Sequence, residues 1–269
     1  MLKKKLQDAI VKLKLKEVTQ IKKKFEIGLI RNAVFSVGTD FNSAQVTLNN
    51  SKTIPVIVPL QRKYLTGNGE IENYEPFKIT RSLSKMNLAV FLVASDREFM
   101  GGDPAHIKLV KTGAEISVIQ HDFFIDEVQI YQAKSYGSDG ILLDSEFLDS
   151  KKLGLFSEVA FQLGMEPFIK IDSTTELENI DHEIIGGVVI EKEGISGVLK
   201  SEFYRRMKEA KPSPLPVIVR TPWLSPREID YFRDQGIHHF LLNDDWLWQP
   251  NALKVLERMI QNNWPDRQL

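Results

Sequence analysis

Residues 120–143, QHDFFIDEVQIYQAKSYGSDGILL, carry the pattern that decides the fold of this chain. The apolar run Ile116–Ile119 leads into a charged loop, and a helical stretch follows over Val128–Tyr136. After the stop signal Gly137, a second apolar run begins at Ile141. The order strand, loop, helix, strand predicts one unit of a parallel α/β sheet, in which the loop leaving the carboxyl end of a strand carries the chemistry. That loop contains His121, Asp122 and Asp126.

The same pattern repeats along the chain after residue 50. Short apolar runs predict eight strands, at Ile54–Leu60, Leu88–Ser95, Ile116–Ile119, Gly140–Leu143, Pro167–Ile171, Gly187–Ile190, Leu215–Val219 and Ile237–Leu242. The stretches between and after them predict helices at Pro76–Met86, Pro104–Lys111, Val128–Tyr136, Leu148–Leu163, Thr174–Asn179, Ile195–Ala210, Pro226–Gln235 and Asn251–Gln261. Eight such units predict a (β/α)8 TIM barrel over residues 51–269, forming a single domain, with an N-terminal helical extension over residues 1–50.

Two of these helices have sharp start signals. Ser173 with Glu176 predicts a capping box, and Ser225 with Glu228 predicts a second one with Pro226 at the first helical position.

Composition and charge narrow the class of protein. The chain has 42% hydrophobic and 26% charged residues, and no apolar run approaches the roughly 18 residues of a membrane span. There are no cysteines, so disulfides and thiolate metal sites are excluded. The N-terminus lacks the apolar core and cleavage site of a signal peptide, so we expect a cytoplasmic protein.

The N-terminus is rich in lysine although the net charge of the chain is −1. Apolar residues recur there at helical spacing, which predicts an amphipathic helix packed on the body of the protein with its lysine face in solvent. Contact with a membrane surface or a nucleic acid is the alternative. One basic helix alone is not a nucleic-acid site, and a helix packed on the body of the protein needs no membrane. We therefore expect neither a nucleic acid nor a membrane as a partner.

Motifs along most of the chain resemble those of the indole-3-glycerol phosphate synthase family. The opening stretch resembles the family's KDFIID-x-YQIYEA-x-x-x-GADAILL segment. Further resemblances are Pro55-Val56-Ile57 to the PVIAEIK strand, Asp96-x-x-Phe99-x-Gly101-Gly102 to T-D-x-x-F-F-x-G-S, and Leu163-Gly164-Met165-Glu166 to LGME. The resemblance implies the same barrel with an N-terminal helical extension. It also implies ring closure of a carboxyphenylamino-deoxyribulose phosphate, with loss of carbon dioxide and water, without a cofactor.

The catalytic positions that the resemblance implies hold different residues in this chain. The family's acid, the lysine of KDF, falls on His121, and the glutamate and lysine of AEIK fall on Pro59 and Gln61. The glutamate of EVH falls on Lys170, which inverts the charge. The Asn-Asn-Arg of strand 6 falls on Val189, Ile190 and Glu191, and the glutamate of E-S-G-I after strand 7 falls on Arg220.

The phosphate-binding loops that the resemblance implies differ as well. The SPS loop after strand 1 falls on Tyr64-Leu65-Thr66, and the loop after strand 7 falls on Thr221, Pro222 and Trp223. The G-E-S loop after strand 8 falls on Asn243, Asp244 and Asp245. Proline removes a backbone donor, and each like-charge contact of a carboxylate with a dianion costs about 1 kcal/mol in water or about 4 kcal/mol at an effective dielectric of 20.

Together these substitutions predict a non-catalytic relative with an interaction or regulatory role and an unidentified protein partner. Two alternatives stay open: retained synthase activity on the phosphorylated substrate, and a different small-molecule reaction that uses His121 and Lys170. Because strands 3 and 5 are both odd-numbered, these two side chains are expected to share a layer of the barrel.

Two further features of the strand ends have more than one interpretation. His121 with three strand-end aspartates (Asp96, Asp144, Asp172) offers hard ligands for a divalent ion, but solvated carboxylates are the favoured interpretation and we predict no metal site. The aromatic residues at the catalytic end (Tyr64, Trp223, Trp246, Trp248) either pack a vacated pocket, which is favoured, or form a partner surface.

Overall fold

The computed structural model describes residues 2–24, 28, 41–51, 54–63, 69–112, 114–171, 180–201, 204–205, 215–222 and 225–260. Eight parallel strands close into a barrel in sequence order, with β8 hydrogen-bonded to β1. The strands are β1 Val56–Leu60, β2 Val90–Ala94, β3 Ser117–His121, β4 Gly140–Asp144, β5 Glu166–Ile171, β6 Gly187–Glu191, β7 Val217–Thr221 and β8 His239–Leu242. The predicted (β/α)8 fold is confirmed.

Helices follow the strands on the outside of the barrel. The helices are α1 Leu2–Lys24, α2 Ala44–Asn49, α3 Pro76–Ser84, α4 Pro104–Lys111, α5 Glu127–Ser135, α6 Ser150–Gln162, α7 Ile195–Leu199, α8 Pro226–Asp234 and α9 Ala252–Ile260. The capping box at Ser225 and Glu228 is confirmed, with both reciprocal bonds formed. The helix predicted at Thr174–Asn179, with its capping box, and most of the second half of the one predicted at Ile195–Ala210 lie outside the described residues.

The strands are buried on both faces because each face packs on a different apolar layer. Residues that point into the barrel form an inner cluster: Ile57, Val90, Leu92, Ile119, Leu142, Phe168, Val189, Ile218 and Leu241. Their neighbours in sequence, such as Val58 and Val118, pack outward against the helices. The alternation matters for function, since a residue two positions beyond an inner-cluster residue points back into the barrel at its carboxyl end.

The third strand is longer than its apolar run. We predicted that it ends at Ile119, but it continues to His121, because Gln120 and His121 pair with Val93 and Ala94 of β2. The apolar signal stopped early because these two positions are polar and still hydrogen-bonded in the sheet. His121 is therefore held by the ladder of the sheet and not by a loop.

The amino-terminal end of the barrel is closed by α2. Ala44 and Leu48 of this helix belong to the inner cluster. Glu166, at the start of β5, accepts hydrogen bonds from the backbone N–H groups of Ala44 (2.8 Å) and Gln45 (3.1 Å) and from the hydroxyl of Ser43. The interior of the barrel is therefore covered at this end, and the functional end of such barrels is the opposite, carboxyl end.

Helix α1 packs on the barrel through one face, as predicted. Ile10 and Val18 are 2% and 5% exposed, while most of its lysines lie in solvent. Lys14 is the exception among them, being 2% exposed. Over the described ranges, no helix combines the length and apolarity that crossing a bilayer requires.

Candidate functional site

Five consecutive strands have, at their last or next-to-last position, a polar or charged residue that points into the barrel. Each stands two positions after a residue of the inner cluster: His121 in β3, Asp144 in β4, Lys170 in β5, Glu191 in β6 and Arg220 in β7. The alternation of side chains along a strand puts all five at the carboxyl mouth of the barrel. We call these residues, with Asp244 after β8, the mouth ring. The two side chains that we predicted to share a pocket, His121 and Lys170, belong to the same ring.

The charges of the mouth ring alternate and pair with each other. Lys170 Nζ lies 3.0 Å from Asp144 Oδ2 and 3.7 Å from Glu191 Oε1. Arg220 lies 3.6 Å from the same Glu191 oxygen and 2.5 Å from Asp244 Oδ2. A continuous chain of ion pairs therefore runs from Asp144 to Asp244 across the ends of five strands.

Burial and these contacts set the protonation of the ring. Burial alone would lower the pKa of Lys170, but the nearby Asp144 carboxylate outweighs burial and this pKa is raised. Burial would also lower the pKa of Arg220, but Asp244 and Glu191 outweigh it and this pKa is raised as well. Burial would raise the pKa of Asp244, but Arg220 and His121 outweigh it and lower this pKa. All three groups are therefore charged at neutral pH.

His121 is the one neutral member of the ring at pH 7. Its pKa is lowered from 6.5, first by burial and further by Arg220 and Lys170, against the opposing effect of Asp244. The residue is 9% exposed, and its Nδ1 atom has no hydrogen-bond partner among the described residues. A neutral imidazole can accept a proton, so His121 is suited to a base or an acceptor and not to a resident acid.

The β1 side of the mouth is uncharged. Pro59 and Gln61 follow the inward alternation of Ile57 and are both buried. The Pro59 carbonyl accepts a hydrogen bond from the indole N–H of Trp246 at 2.6 Å, and Trp246 is 2% exposed. Gln61 Nε2 donates to the Lys63 carbonyl at 2.9 Å, which leaves its Oε1 atom pointing elsewhere without a described partner. Trp246 thus packs the barrel end, as the favoured interpretation predicted, and Trp248 is half-buried beside it.

The positions implied for phosphate binding do not all face the mouth. Thr221 shares the outward alternation of Val219 and is fully buried, while Pro222 is exposed. The backbone N–H of Asn243 donates to the Thr221 carbonyl at 3.0 Å and is not available to a phosphate. Tyr64 and Trp223 lie outside the described residues.

Two expectations about this region change with the geometry. We argued that Asp244 would repel a dianion as a fixed charge, but Arg220 neutralises it at 2.5 Å, so the repulsion is weaker than the sequence suggested. The resemblance also implied that the family's catalytic carboxylates are lost at Pro59 and Lys170. Asp144, Glu191 and Asp244 bring carboxylates to the mouth from other strands.

Val189, implied as a strand 6 amide position, belongs to the inner cluster and is 2% exposed. It lies one layer below the mouth ring, since Glu191 stands two residues later on the same strand. Val189 therefore forms part of the apolar surface directly beneath the mouth ring.

A second charged cluster lies beside the ring, where α1 crosses the ends of β2 and β3. Lys14 Nζ lies 2.8 Å from Asp96 Oδ2, 2.7 Å from Asp122 Oδ1 and 2.9 Å from Glu17 Oε2. Sequence reasoning missed this residue, because it is one of nine lysines near the N-terminus. The only signal was its position four residues after Ile10, on the buried face of the helix.

The Asp96-x-x-Phe99-x-Gly101-Gly102 motif has a structural explanation. Asp96 Oδ1 accepts the backbone N–H groups of Phe99 (2.6 Å) and Met100 (3.0 Å), which fixes the loop after β2. Gly101 has a φ of 61°, and a Cβ on Gly102 would lie 2.2 Å from the Ala94 carbonyl oxygen. Both glycines are needed for the turn and do not indicate a ligand.

Two of the three aspartates considered as metal ligands have other partners. Asp96 binds Lys14 and Asp144 binds Lys170, while Asp172 lies outside the described residues. Within the part of the chain that the structure describes, no group of three or more histidine, aspartate or glutamate side chains is arranged to hold a metal ion.

Fold and side chains together define a (β/α)8 barrel with a cluster of charged and polar residues at its carboxyl mouth. The profile of the indole-3-glycerol phosphate synthase family matches residues 7–190, more than half of the chain. The chain therefore belongs to the indole-3-glycerol phosphate synthase family.

Several curated relatives carry the name of this enzyme. The indole-3-glycerol phosphate synthase of Paracidovorax citrulli is 24% identical over 245 residues, covering 88% of this chain and 92% of the relative. That of Neisseria meningitidis serogroup B is 31% identical over 126 residues, 46% of this chain and 48% of the relative. That of Chloroherpeton thalassium is 29% identical over 139 residues, 52% and 54% of the two chains. The similarity to the Paracidovorax citrulli protein extends over most of this chain at low identity.

Proposed function

We propose that this chain binds a small molecule at the barrel mouth without carrying out the synthase reaction, and that it has a regulatory or interaction role. The observation that carries the proposal is the chain of ion pairs in the mouth ring. Lys170, Glu191 and Arg220 stand where the family resemblance implies glutamate, arginine and glutamate. Each inverts the implied charge, and Glu191 contacts both Lys170 and Arg220.

The charge count of the ring opposes the family's substrate. Asp144, Glu191 and Asp244 are acidic, and Lys170 and Arg220 are basic, so the ring has a net charge of about −1 with His121 neutral. The substrate carries a carboxylate and a phosphate dianion. Neither cation is available to them without breaking an existing pair, and a charge left unpaired in a buried site costs several kcal/mol.

The mouth nevertheless has the properties of a binding site. Buried polar atoms almost always have hydrogen-bond partners, yet Gln61 Oε1, His121 Nδ1 and Asp244 Oδ1 have none among the described residues. Such atoms at the functional end of a barrel favour a ligand that satisfies them.

Retained synthase activity is the second candidate, and a specific observation favours it. Lys170 is a protonated amine and His121 a neutral imidazole in one ring, so an acid and a base are both present. In this candidate Lys170 would protonate the substrate ketone in place of the family's strand 3 lysine, and His121 would take up the remaining proton.

Incubation with the carboxyphenylamino-deoxyribulose phosphate separates the two candidates. Product is followed by indole fluorescence and, because the protein itself has four tryptophans, by chromatography as well. The Paracidovorax citrulli relative serves as the positive control. We expect no product above the level of Lys170→Ala and His121→Ala variants. Product that disappears in these two variants would refute the proposal and establish the second candidate.

A further inference from the structure

Three side chains at the mouth have a buried polar atom without a described partner. Gln61, Asp244 and His121 are 1%, 4% and 9% exposed, and the atoms concerned are Oε1, Oδ1 and Nδ1. A buried polar atom without a partner destabilises the folded protein. A bound group that supplies the missing hydrogen bonds would recover this free energy.

The chemistry of these atoms specifies what such a group must supply. The Gln61 amide is oriented by its bond to the Lys63 carbonyl, so the free atom is the carbonyl oxygen, an acceptor. Asp244 is ionised, and its Oδ2 already binds Arg220, so its Oδ1 is also an acceptor. His121 Nδ1 accepts in one of the two neutral tautomers. The site therefore lacks donors.

These acceptors lie in one region of the barrel. Gln61 extends the inward face of β1, which is hydrogen-bonded to β8 through Val56 and Ile57. Asp244 follows β8 and turns inward onto Arg220. Asp244 and His121 are near enough for the charge of each to affect the pKa of the other.

The electrostatics of the ring favour a cation. Its two basic groups are paired, its net charge is about −1, and the mouth excludes much of the solvent that would screen this charge. A metal ion is not the expected occupant, since the described residues contain no cluster suited to one. A primary ammonium carries a positive charge and three N–H donors, one for each acceptor.

We propose that the mouth ring binds a small molecule with a primary ammonium group, an amine or an amino acid, whose N–H groups donate to Asp244, Gln61 and His121. This inference rests on the proposed function, in which the mouth binds a small molecule. It replaces the phosphate dianion of the family's substrate with a group of opposite charge.

The test measures the binding of matched pairs of compounds to the full chain by thermal shift and titration calorimetry. The probes are 2-phenylethylamine, ethanolamine and the common amino acids, each beside its N-acetyl counterpart, which keeps the carbon skeleton and loses the charge. Inorganic phosphate and glycerol 3-phosphate serve as dianion probes. We expect at least one amine to raise the melting temperature and its acetylated form to have no effect.

Variants locate the site. Asp244→Asn removes the negative charge, and Gln61→Met removes the amide acceptor while leaving the ion pairs in place. Each is expected to weaken amine binding at least tenfold, about the effect of one charge-assisted hydrogen bond. Asp181→Asn, an exposed acidic residue before β6, is the control and should bind as the parent does.

Three outcomes would overturn the inference: an amine and its acetylated form that bind equally, dianion probes that bind while no amine does, or full amine binding in the Gln61→Met variant. If Asp244→Asn does not fold, Gln61→Met still decides, because it leaves Arg220 paired. The indole assay is independent of this measurement, so a failure here is distinct from a failure of the proposed function.

Discussion

Replacement of Lys14 by methionine should destabilise the protein more than any other lysine substitution in α1. Lys14 Nζ lies within 2.9 Å of three carboxylates, and two of them belong to Asp96, which is fully buried, and Asp122, whose side chain is 13% exposed. Methionine keeps the length of the aliphatic chain and its helix propensity but leaves these two carboxylates without their cation. Removing one partner of a buried ion pair costs about 3–5 kcal/mol, a large part of the roughly 5–15 kcal/mol that holds a domain folded.

Urea unfolding at pH 7, followed by circular dichroism and tryptophan fluorescence, measures this loss. Lys16→Met is the matched control, since Lys16 is exposed on the same helix, and it should change the free energy of unfolding by less than about 0.5 kcal/mol. Equal stability of the two variants would refute the assignment of Lys14 as a buried anchor between α1 and the ends of β2 and β3.

The pH dependence of the Lys14 cluster has a definite sign. Burial alone would lower the pKa of Lys14, but Asp122 and Asp96 outweigh it and raise this pKa above its ordinary value of 10.5. A raised pKa in the folded state means that the contribution is complete below about pH 10.5 and is lost as pH rises further. The difference in stability between the parent and Lys14→Met should therefore be constant near neutrality and begin to narrow above pH 10.5.

Three further predictions follow from the same structure. Arg220→Met should lower the free energy of unfolding, measured in urea, by about 3 kcal/mol or more, because buried Asp244 loses its partner. Arg227→Met, at an exposed position of α8, should leave it unchanged. Gly102→Ala should lower the free energy of unfolding by at least about 2 kcal/mol, since its Cβ would meet Ala94. Gly154→Ala, which has open space around it within α6, should raise the free energy of unfolding by up to about 1 kcal/mol. If Gly102→Ala were the more stable of the two variants, the described turn would be contradicted. Burial, aided by His238, lowers the pKa of His239 from 6.5 to about 4, so its contribution is present above pH 6.5 and lost as pH falls toward 4. Between pH 7 and pH 4, the free energy of unfolding of His239→Gln should therefore fall by about 1–3 kcal/mol less than that of the parent. An equal fall in the parent and His239→Gln, or the same smaller fall in His182→Gln, would refute His239 as the cause.

The barrel could be predicted from the sequence because its signals are local. Apolar runs buried on both faces, with helix caps and glycine stops between them, determine strand and helix in each unit without knowledge of the others. The end of β3 could not be predicted in this way. His121 stays in the sheet because Ala94 of another strand pairs with it, and no local signal in residues 120–121 reports that contact.

The identity of most candidate positions was predictable, but their interactions were not. His121, Lys170, Glu191 and Arg220 were each assigned from the catalytic motif position of the family on which they fall. Whether a substituted residue leaves a defect or gains a partner depends on neighbouring strands. Asp144 stands in register with Lys170, and Glu191 with Arg220. Counting two residues on from each inner-cluster position would have placed all five strand-end members of the ring. Which of them form ion pairs follows only from the register of the sheet.

This pairing constrains how the mouth ring can be changed. If Lys170 alone were returned to the glutamate that the resemblance implies, three carboxylates from adjacent strands (Asp144, Glu191 and the new residue) would stand together, and Arg220 would be the only cation of the mouth ring left beside them. Each like-charge contact at about 4 Å costs about 4 kcal/mol at an effective dielectric of 20, so the single change would be strongly destabilising. Replacement of Glu191 by the arginine that the resemblance implies would remove the contact between the two carboxylates. That arginine would then lie beside Arg220 with the same charge, so Arg220 would have to change in turn. The ring is therefore a coupled set, and a mouth of the family's charge pattern can be reached from this one only by concerted substitution on β5, β6 and β7.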